Sequence, residues 1–126
     1  MTIDEIQASL SSKFPSISFY KKAIGLVAVV EVADFALVAD FCRHDEMLLF
    51  DHLHNFAAVD YPPDRIEIFA QIYSLPHRHK LTIKTILDRT DPRCPTLCGV
   101  YPAANWYERE TYDLFGVIFT DRKSVV

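Results

Sequence analysis

Arg65-Ile66-Glu67-Ile68-Phe69-Ala70-Gln71-Ile72-Tyr73, followed across Leu75-Pro76-His77 by Lys80-Leu81-Thr82-Ile83-Lys84-Thr85-Ile86-Leu87, decides the fold. Alternation puts Ile66, Ile68 and Ile72 on one side of the first run, and Leu81, Ile83 and Leu87 on one side of the second. The short connection through Pro76 makes the two strands antiparallel neighbours. Upstream, residues 48–56 alternate in part and read as a third strand, joined to the first run by the turn Tyr61-Pro62-Pro63-Asp64. Residues 26–32 are β-branched and apolar on both sides, the pattern of a buried strand.

Helical spacing fills the gaps between these runs. Ile3, Ile6 and Leu10 recur at intervals of three and four, behind a capping box of Thr2 and Glu5, and Pro15 closes the segment. Asp34 stands as an N-cap for a helix running to about Arg43, with Phe35, Val38, Ala39 and Cys42 on one face and Leu37 and Phe41 widening it. Asp91-Pro92-Arg93-Cys94-Pro95 reads as a breaker that isolates the last third. With no repeat or linker, residues 1–126 read as a single domain. The expected fold class is α+β: two layers, a mainly antiparallel sheet of about four strands, and helices packed on one face.

A chain of 126 residues buries roughly two-thirds of its unfolded surface, enough for one core. Three Gly against 9 Phe and 6 Tyr is the opposite of a disordered composition. A net charge of −4 argues against a general nucleic-acid binder or an anionic-membrane ligand, although a local basic patch is compatible with it. Met1-Thr2-Ile3-Asp4-Glu5 is acidic where a secretory signal needs Lys or Arg. The longest apolar stretch, residues 24–30, stops at Glu31 and is far short of the roughly 20 residues that span a bilayer. Three cysteines, an odd count, fit reduced thiols in a cytosolic compartment.

The residues offer no catalytic, cofactor-binding or metal site. Cys94 and Cys98 lack the spacing and second pair of structural zinc, and with Cys42 they fall short of the four thiolates of an iron–sulfur cluster. All three read as small buried hydrophobes. His52 with His54, and His77 with His79, are two-ligand pairs without a third; a small metal-dependent hydrolase built on them is the enzyme-class alternative. Asp51, Asp60 and Asp64 fit strand ends and turns. Gly-rich phosphate loops and the G-x-S-x-G elbow are missing from the sequence.

One segment stands apart, residues 102–116: Pro102-Ala103-Ala104-Asn105-Trp106-Tyr107-Glu108-Arg109-Glu110-Thr111-Tyr112-Asp113-Leu114-Phe115-Gly116. Asn105 is positioned to cap a helix, with Glu108 as its capping-box partner, and Gly116 sits where a left-handed residue ends one. At about 100° per residue, Tyr107, Thr111, Leu114 and Phe115 share a side, taken as the core face. Trp106, Arg109, Glu110 and Asp113 share another, with Arg109 expected to pair with at least one acid. Trp and Arg are frequent interface anchors, so this side reads as a docking face; the alternative is a solvated face with Trp106 laid over its edge. A free-standing interaction module has the same features and differs only in its partner.

Asn105-Trp106-Tyr107-Glu108-Arg109-Glu110, with Asp113, Phe115 and Gly116, resembles the signature of the respiratory complex I 30 kDa (C-type) family. That family includes the corresponding small subunit of energy-converting membrane-bound NiFe hydrogenases. The resemblance runs from about Leu26 to Phe119, through Phe56-Ala57-Ala58-Val59-Asp60-Tyr61-Pro62 and the strands after it. It implies a non-catalytic assembly subunit of the peripheral arm of a membrane-anchored oxidoreductase that couples electron transport to proton translocation. No cofactor is implied for this chain; iron–sulfur clusters and a NiFe centre or quinone site are expected in partner subunits. The implied partners are the large subunit (49 kDa-like or NiFe hydrogenase large) and the small iron–sulfur subunit. The implied location is the cytoplasmic face of the membrane, reached only through those partners. Complex I proteins continue the motif into Gly-His-Pro and a basic segment, where this chain has Thr120-Asp121-Arg122-Lys123-Ser124-Val125-Val126. That departure points to the hydrogenase type rather than the NADH:quinone type, a truncated or frameshifted chain being the alternative.

Overall fold

Two ten-residue strands, β4 (Arg65–Ser74) and β5 (His79–Asp88), organise the computed structural model, which describes residues 3–23 and 25–120. They pair antiparallel with Ile66 opposite Leu87, Ala70 opposite Ile83 and Ile72 opposite Leu81, and all six side chains are buried. β3 (His52–Tyr61) adds antiparallel to the free edge of β4. On the other side β2 (Gly25–Val29) lies parallel to β5, and β1 (Ser18–Lys22) closes the sheet antiparallel to β2. The order is β1-β2-β5-β4-β3, five strands rather than about four. The added strand is β1, whose Ser18-Phe19-Tyr20-Lys21-Lys22 pattern is too short and polar to be conspicuous.

Helices α1 (Ile3–Lys13), α2 (Phe35–His44) and α3 (Ala104–Phe115) supply the second layer. Ile6 and Leu10 of α1, Phe35, Val38, Ala39 and Cys42 of α2, and Ala104 of α3 share one core with Ile66, Ile68 and Ile83. The expected α2 face is the observed one for those four residues, with Phe41 half-buried beside them, but Leu37 is exposed and does not widen it. In α1, Ile3 is exposed, so the buried stripe is carried by Ile6 and Leu10; the Thr2 half of its capping box lies outside the described residues. Asp34 precedes α2, but its side chain makes no capping bond, because a turn of 3-10 helix (Val32–Asp34) leads into the helix and satisfies the chain locally. That turn also ends the second strand earlier than residue 32.

Two further expectations change. The apolar run Met47-Leu48-Leu49-Phe50 is not strand: Leu48 and Leu49 donate their amides to Asp45 O and Phe50 donates to Cys42 O, with Leu49 at φ 44°. Leu48 and Phe50 are buried as a plug beneath α2, and the strand begins only at His52. The proline-flanked segment around Cys94 is not only a breaker. β6 (Arg93–Pro95) pairs in parallel with β7 (Ile118–Thr120), placing Cys94 opposite Phe119. This clip closes the chain on both sides of α3.

Candidate functional site

α3 starts after Pro102 with Ala103 in the cap position and no side-chain cap bond. Asn105 lies inside the first turn, and Ala103 takes the cap position expected of it. Glu108 instead turns inward and has no exposed surface. Its carboxylate accepts hydrogen bonds from Thr96 Oγ1 at 2.6 Å, Leu97 N at 2.7 Å and Cys98 Sγ at 3.3 Å. A buried carboxylate is tolerated only with such partners, and these three come from the loop between β6 and α3. Thr96 Oγ1 also accepts from Cys98 N at 3.1 Å, so the loop is folded around the carboxylate. Burial, with Glu108 nearby, pushes the Cys94 thiol well above its ordinary range, which suits a packing role. Burial does the same to Cys42.

The same loop is fastened to the rest of the domain. Tyr101 donates its hydroxyl to Phe50 O at 2.6 Å, and Arg43 donates to Val100 O. Phe56 of β3 packs against Tyr107 and Phe119 at 6.3 and 5.9 Å between ring centres. These anchors set how α3 is rolled about its axis. The inward stripe is Ala104, Glu108 and Thr111, with Phe115 half-buried below it. Leu114 is 69% exposed and leaves the core face to which its hydrophobicity assigned it. The reason is geometric: once Glu108 faces its donors, Leu114 lies about 120° around the helix from it.

The opposite side is the one marked for docking. Trp106 is 69% exposed, and Arg109, Glu110 and Asp113 line the same side of the helix. Together with Leu114 they line a shallow groove of about 340 Å³. The structure therefore brings the four chosen residues together and adds Leu114, which the apolar pattern had assigned inward. Arg109 is not paired with an acid: the ion pairs among the described residues run elsewhere, and none includes it. The helix ends at Gly116 with φ 71°, the left-handed conformation expected there.

The histidines are occupied differently. His77 and His79 stack at 5.5 Å between ring centres, and their Nε2 atoms lie 3.1 Å from Glu46 O and 2.8 Å from Leu48 O. A register shift between Leu53 and Asn55 puts His54 on a bulge, and His52 and His54 line one shallow recess with Leu53, Tyr73 and Leu75. Among the described residues no group of three or more His, Cys, Asp or Glu side chains is placed to hold a metal ion. None of the described helices is long and apolar enough to cross a membrane.

The sequence and fold are shared with known proteins. The family model for the respiratory-chain NADH dehydrogenase 30 Kd subunit matches residues 28–125. The C-type subunit of the NADH-quinone oxidoreductase of Chloroherpeton thalassium is 37% identical over 92 residues, covering 72% of this chain and 38% of the relative. The protein of the same name from Herpetosiphon aurantiacus is 32% identical over 117 residues, covering 91% and 68%. The chain thus spans about half the length of most curated relatives it matches. Among solved structures, the trypsin-resistant fragment of Nqo5 superposes with a TM-score of 0.79 at 23% identity, over 99% of this chain and 100% of that one. A chain of the membrane-bound sulfane sulfur reductase, an archaeal respiratory membrane complex, gives a TM-score of 0.81 at 25% identity, over 95% and 71%.

Proposed function

Because the chain belongs to the respiratory-chain NADH dehydrogenase 30 kDa family, we propose that it is a non-catalytic assembly subunit of a complex I-related oxidoreductase. It docks on the large subunit of that complex, beside the small iron–sulfur subunit, through the outer side of α3. The observation that carries this reading is the exposed groove of Trp106, Arg109, Glu110, Asp113 and Leu114 on a helix whose inner side is locked by Glu108. A rigid helix presenting Trp and an uncommitted Arg is pre-organised for an interface, since little ordering remains to oppose binding. Electron-carrying clusters and the NiFe or quinone chemistry belong, in this proposal, to the partner subunits. The chain meets the membrane only through them.

The finer type is proposed as hydrogenase-like, on the sequence that follows Phe119. The NADH-quinone names of the curated relatives pull the other way. Neighbouring genes decide this point: a NiFe large subunit beside antiporter-like proteins supports the hydrogenase type, and a full NADH:quinone set refutes it. The docking face is tested by co-purifying the large subunit encoded beside this chain with wild-type and Arg109→Ala protein. Assembly weakens by about 2 kcal/mol or more if Arg109 is an anchor. Equal recovery, with both proteins folded, refutes the α3 interface.

A further inference from the structure

We propose that the helix-free face of the five-stranded sheet is a second docking surface, and that its occupant is an acidic segment of a partner protein carrying apolar side chains. The register places Tyr20, Val27, Thr82, Lys84, Phe69 and Glu67 on this face. Val27, Thr82 and Glu67 keep only 0%, 3% and 4% of their surface exposed, although no described element covers them. The face's own long side chains interlock with one another. Lys84 Nζ lies 5.5 Å from the centres of both the Tyr20 and Phe69 rings and 3.0 Å from a Glu67 oxygen. Arg65 Nε holds the other Glu67 oxygen at 2.8 Å, with its guanidinium 4.5 Å from the Tyr61 ring. These cation–ring and ion-pair contacts pre-order the surface before any partner arrives.

Charge and apolar pattern identify the occupant. This face carries Lys22, Lys80, Lys84 and Arg65 against Glu67 and Asp88, an excess of positive charge on a chain whose net charge is −4. Glu67 already serves two of the cations. Lys22 and Lys80 have no ion-pair partner among the described residues. Both lie beside Gly25, which is held at φ 109°; a Cβ there would stand 3.8 Å from Lys80 Cε. Next to Lys80, a recess of about 380 Å³ is lined by Gln71, Tyr73, Thr82 and the bulged His54, side chains that can donate to a carboxylate. Across the sheet, Val59 and Ile86 flank Glu67 in register, and both are exposed. Carboxylates for the lysine end and apolar side chains for Val59 and Ile86 describe a protein segment. A polyanionic nucleic acid would meet this small patch against the repulsion of the whole chain.

The test is titration of the full, isotopically labelled chain with a short peptide of mixed Glu and Val, followed by amide NMR, beside a Gln/Val peptide and a single-stranded oligothymidylate. The expected shifts fall on Tyr20, Lys22, Gln71, Lys80, Thr82 and Ile86. The Lys22→Glu, Lys80→Glu double variant should bind about tenfold more weakly, from two lost exposed charge contacts. If that reversal disturbs the fold, Lys22→Gln with Lys80→Gln provides the same comparison. Arg109→Ala should bind the peptide as the parent does, so failure here and failure of the α3 interface are separate results. Shifts centred on α3, equal binding by the double variant, equal binding of the Gln/Val peptide, or tighter binding of the oligonucleotide at the same salt each overturn the proposal.

Discussion

On the inner side of α3 one carboxylate, Glu108, lies without exposure and accepts from Thr96, Leu97 and Cys98; on the outer side Arg109, Glu110 and Asp113 line a groove beside Trp106, and Arg109 has no ion partner among the described residues. The same helix thus carries a charge that the fold has fully committed and charges that it has left uncommitted. The inner group cannot be removed without orphaning its donors, whereas the outer groups can be changed with little consequence for the isolated chain. Residues of a kind adjacent in sequence, Glu108, Arg109 and Glu110, are divided between structure and surface by about 100° of helical rotation.

The sharpest attempt to break this contrast is Glu108→Ala. Removing it leaves the Leu97 amide and the Thr96 hydroxyl without their acceptor, at about 1–3 kcal/mol for each buried donor in urea unfolding, enough to unfold a marginal domain. Glu108→Gln, which retains one carbonyl acceptor, should cost clearly less. A loss below about 1 kcal/mol for the alanine variant would mean that the loop finds other acceptors and that Glu108 is not the latch.

His79 gives a pH-dependent test of a committed group. Burial holds its imidazole below the ordinary 6.5, outweighing the opposing bond to Leu48 O. The unfolded chain therefore takes up a proton near pH 6.5 that the folded chain still refuses, and stability falls as the pH drops below that point. His79→Gln should flatten this slope. Identical profiles for parent and His79→Gln would assign the acid sensitivity elsewhere. Glu67 acts at lower pH. Burial raises its carboxyl, but the bonds from Arg65 and Lys84 prevail and hold it below the usual range, so its stabilisation is present above that range and lost on acidification through its own titration.

Leu114→Ala is the next smaller effect. Exposed on the groove wall, this side chain should cost less than about 0.5 kcal/mol when truncated, against roughly 2–5 for Ile68→Ala at the sheet centre. A large loss for Leu114 would mean the helix is rolled as its apolar pattern alone suggests. Smallest is Arg109→Ala, with a melting temperature within about 2 °C of the parent, even where assembly with the large subunit is lost. A strongly lowered melting temperature would make Arg109 internal structure and erase the distinction between the two sides.

Much of the fold is legible from local pattern. The alternation of Ile66, Ile68 and Ile72 against Leu81 and Ile83 identifies the central hairpin, and the spacing of Phe35, Val38, Ala39 and Cys42 identifies the buried face of α2. These signals survive because each residue's burial there follows from its own hydrophobicity and the period of its element. The candidate site was legible in part. Trp106, Arg109, Glu110 and Asp113 cluster as helical geometry requires, but local pattern makes Glu108 a capping-box partner of Asn105 and Leu114 core, since a Glu in the first turn and a leucine are ordinarily those things.

Composition, period and motif thus settled from the sequence alone that the fold is α+β, where its central strands and second helix lie, and that α3 ends in a left-handed Gly116. Only the tertiary structure decided the parallel pairing of β2 with β5, the clip of β6 with β7, and the roll of α3. Each depends on a partner far along the chain: Val27 beside Thr82, Arg93 beside Ile118, Glu108 against Thr96. Local propensity sets what a segment can become. Which of its sides faces inward is set by the groups it must satisfy once the chain has brought them together.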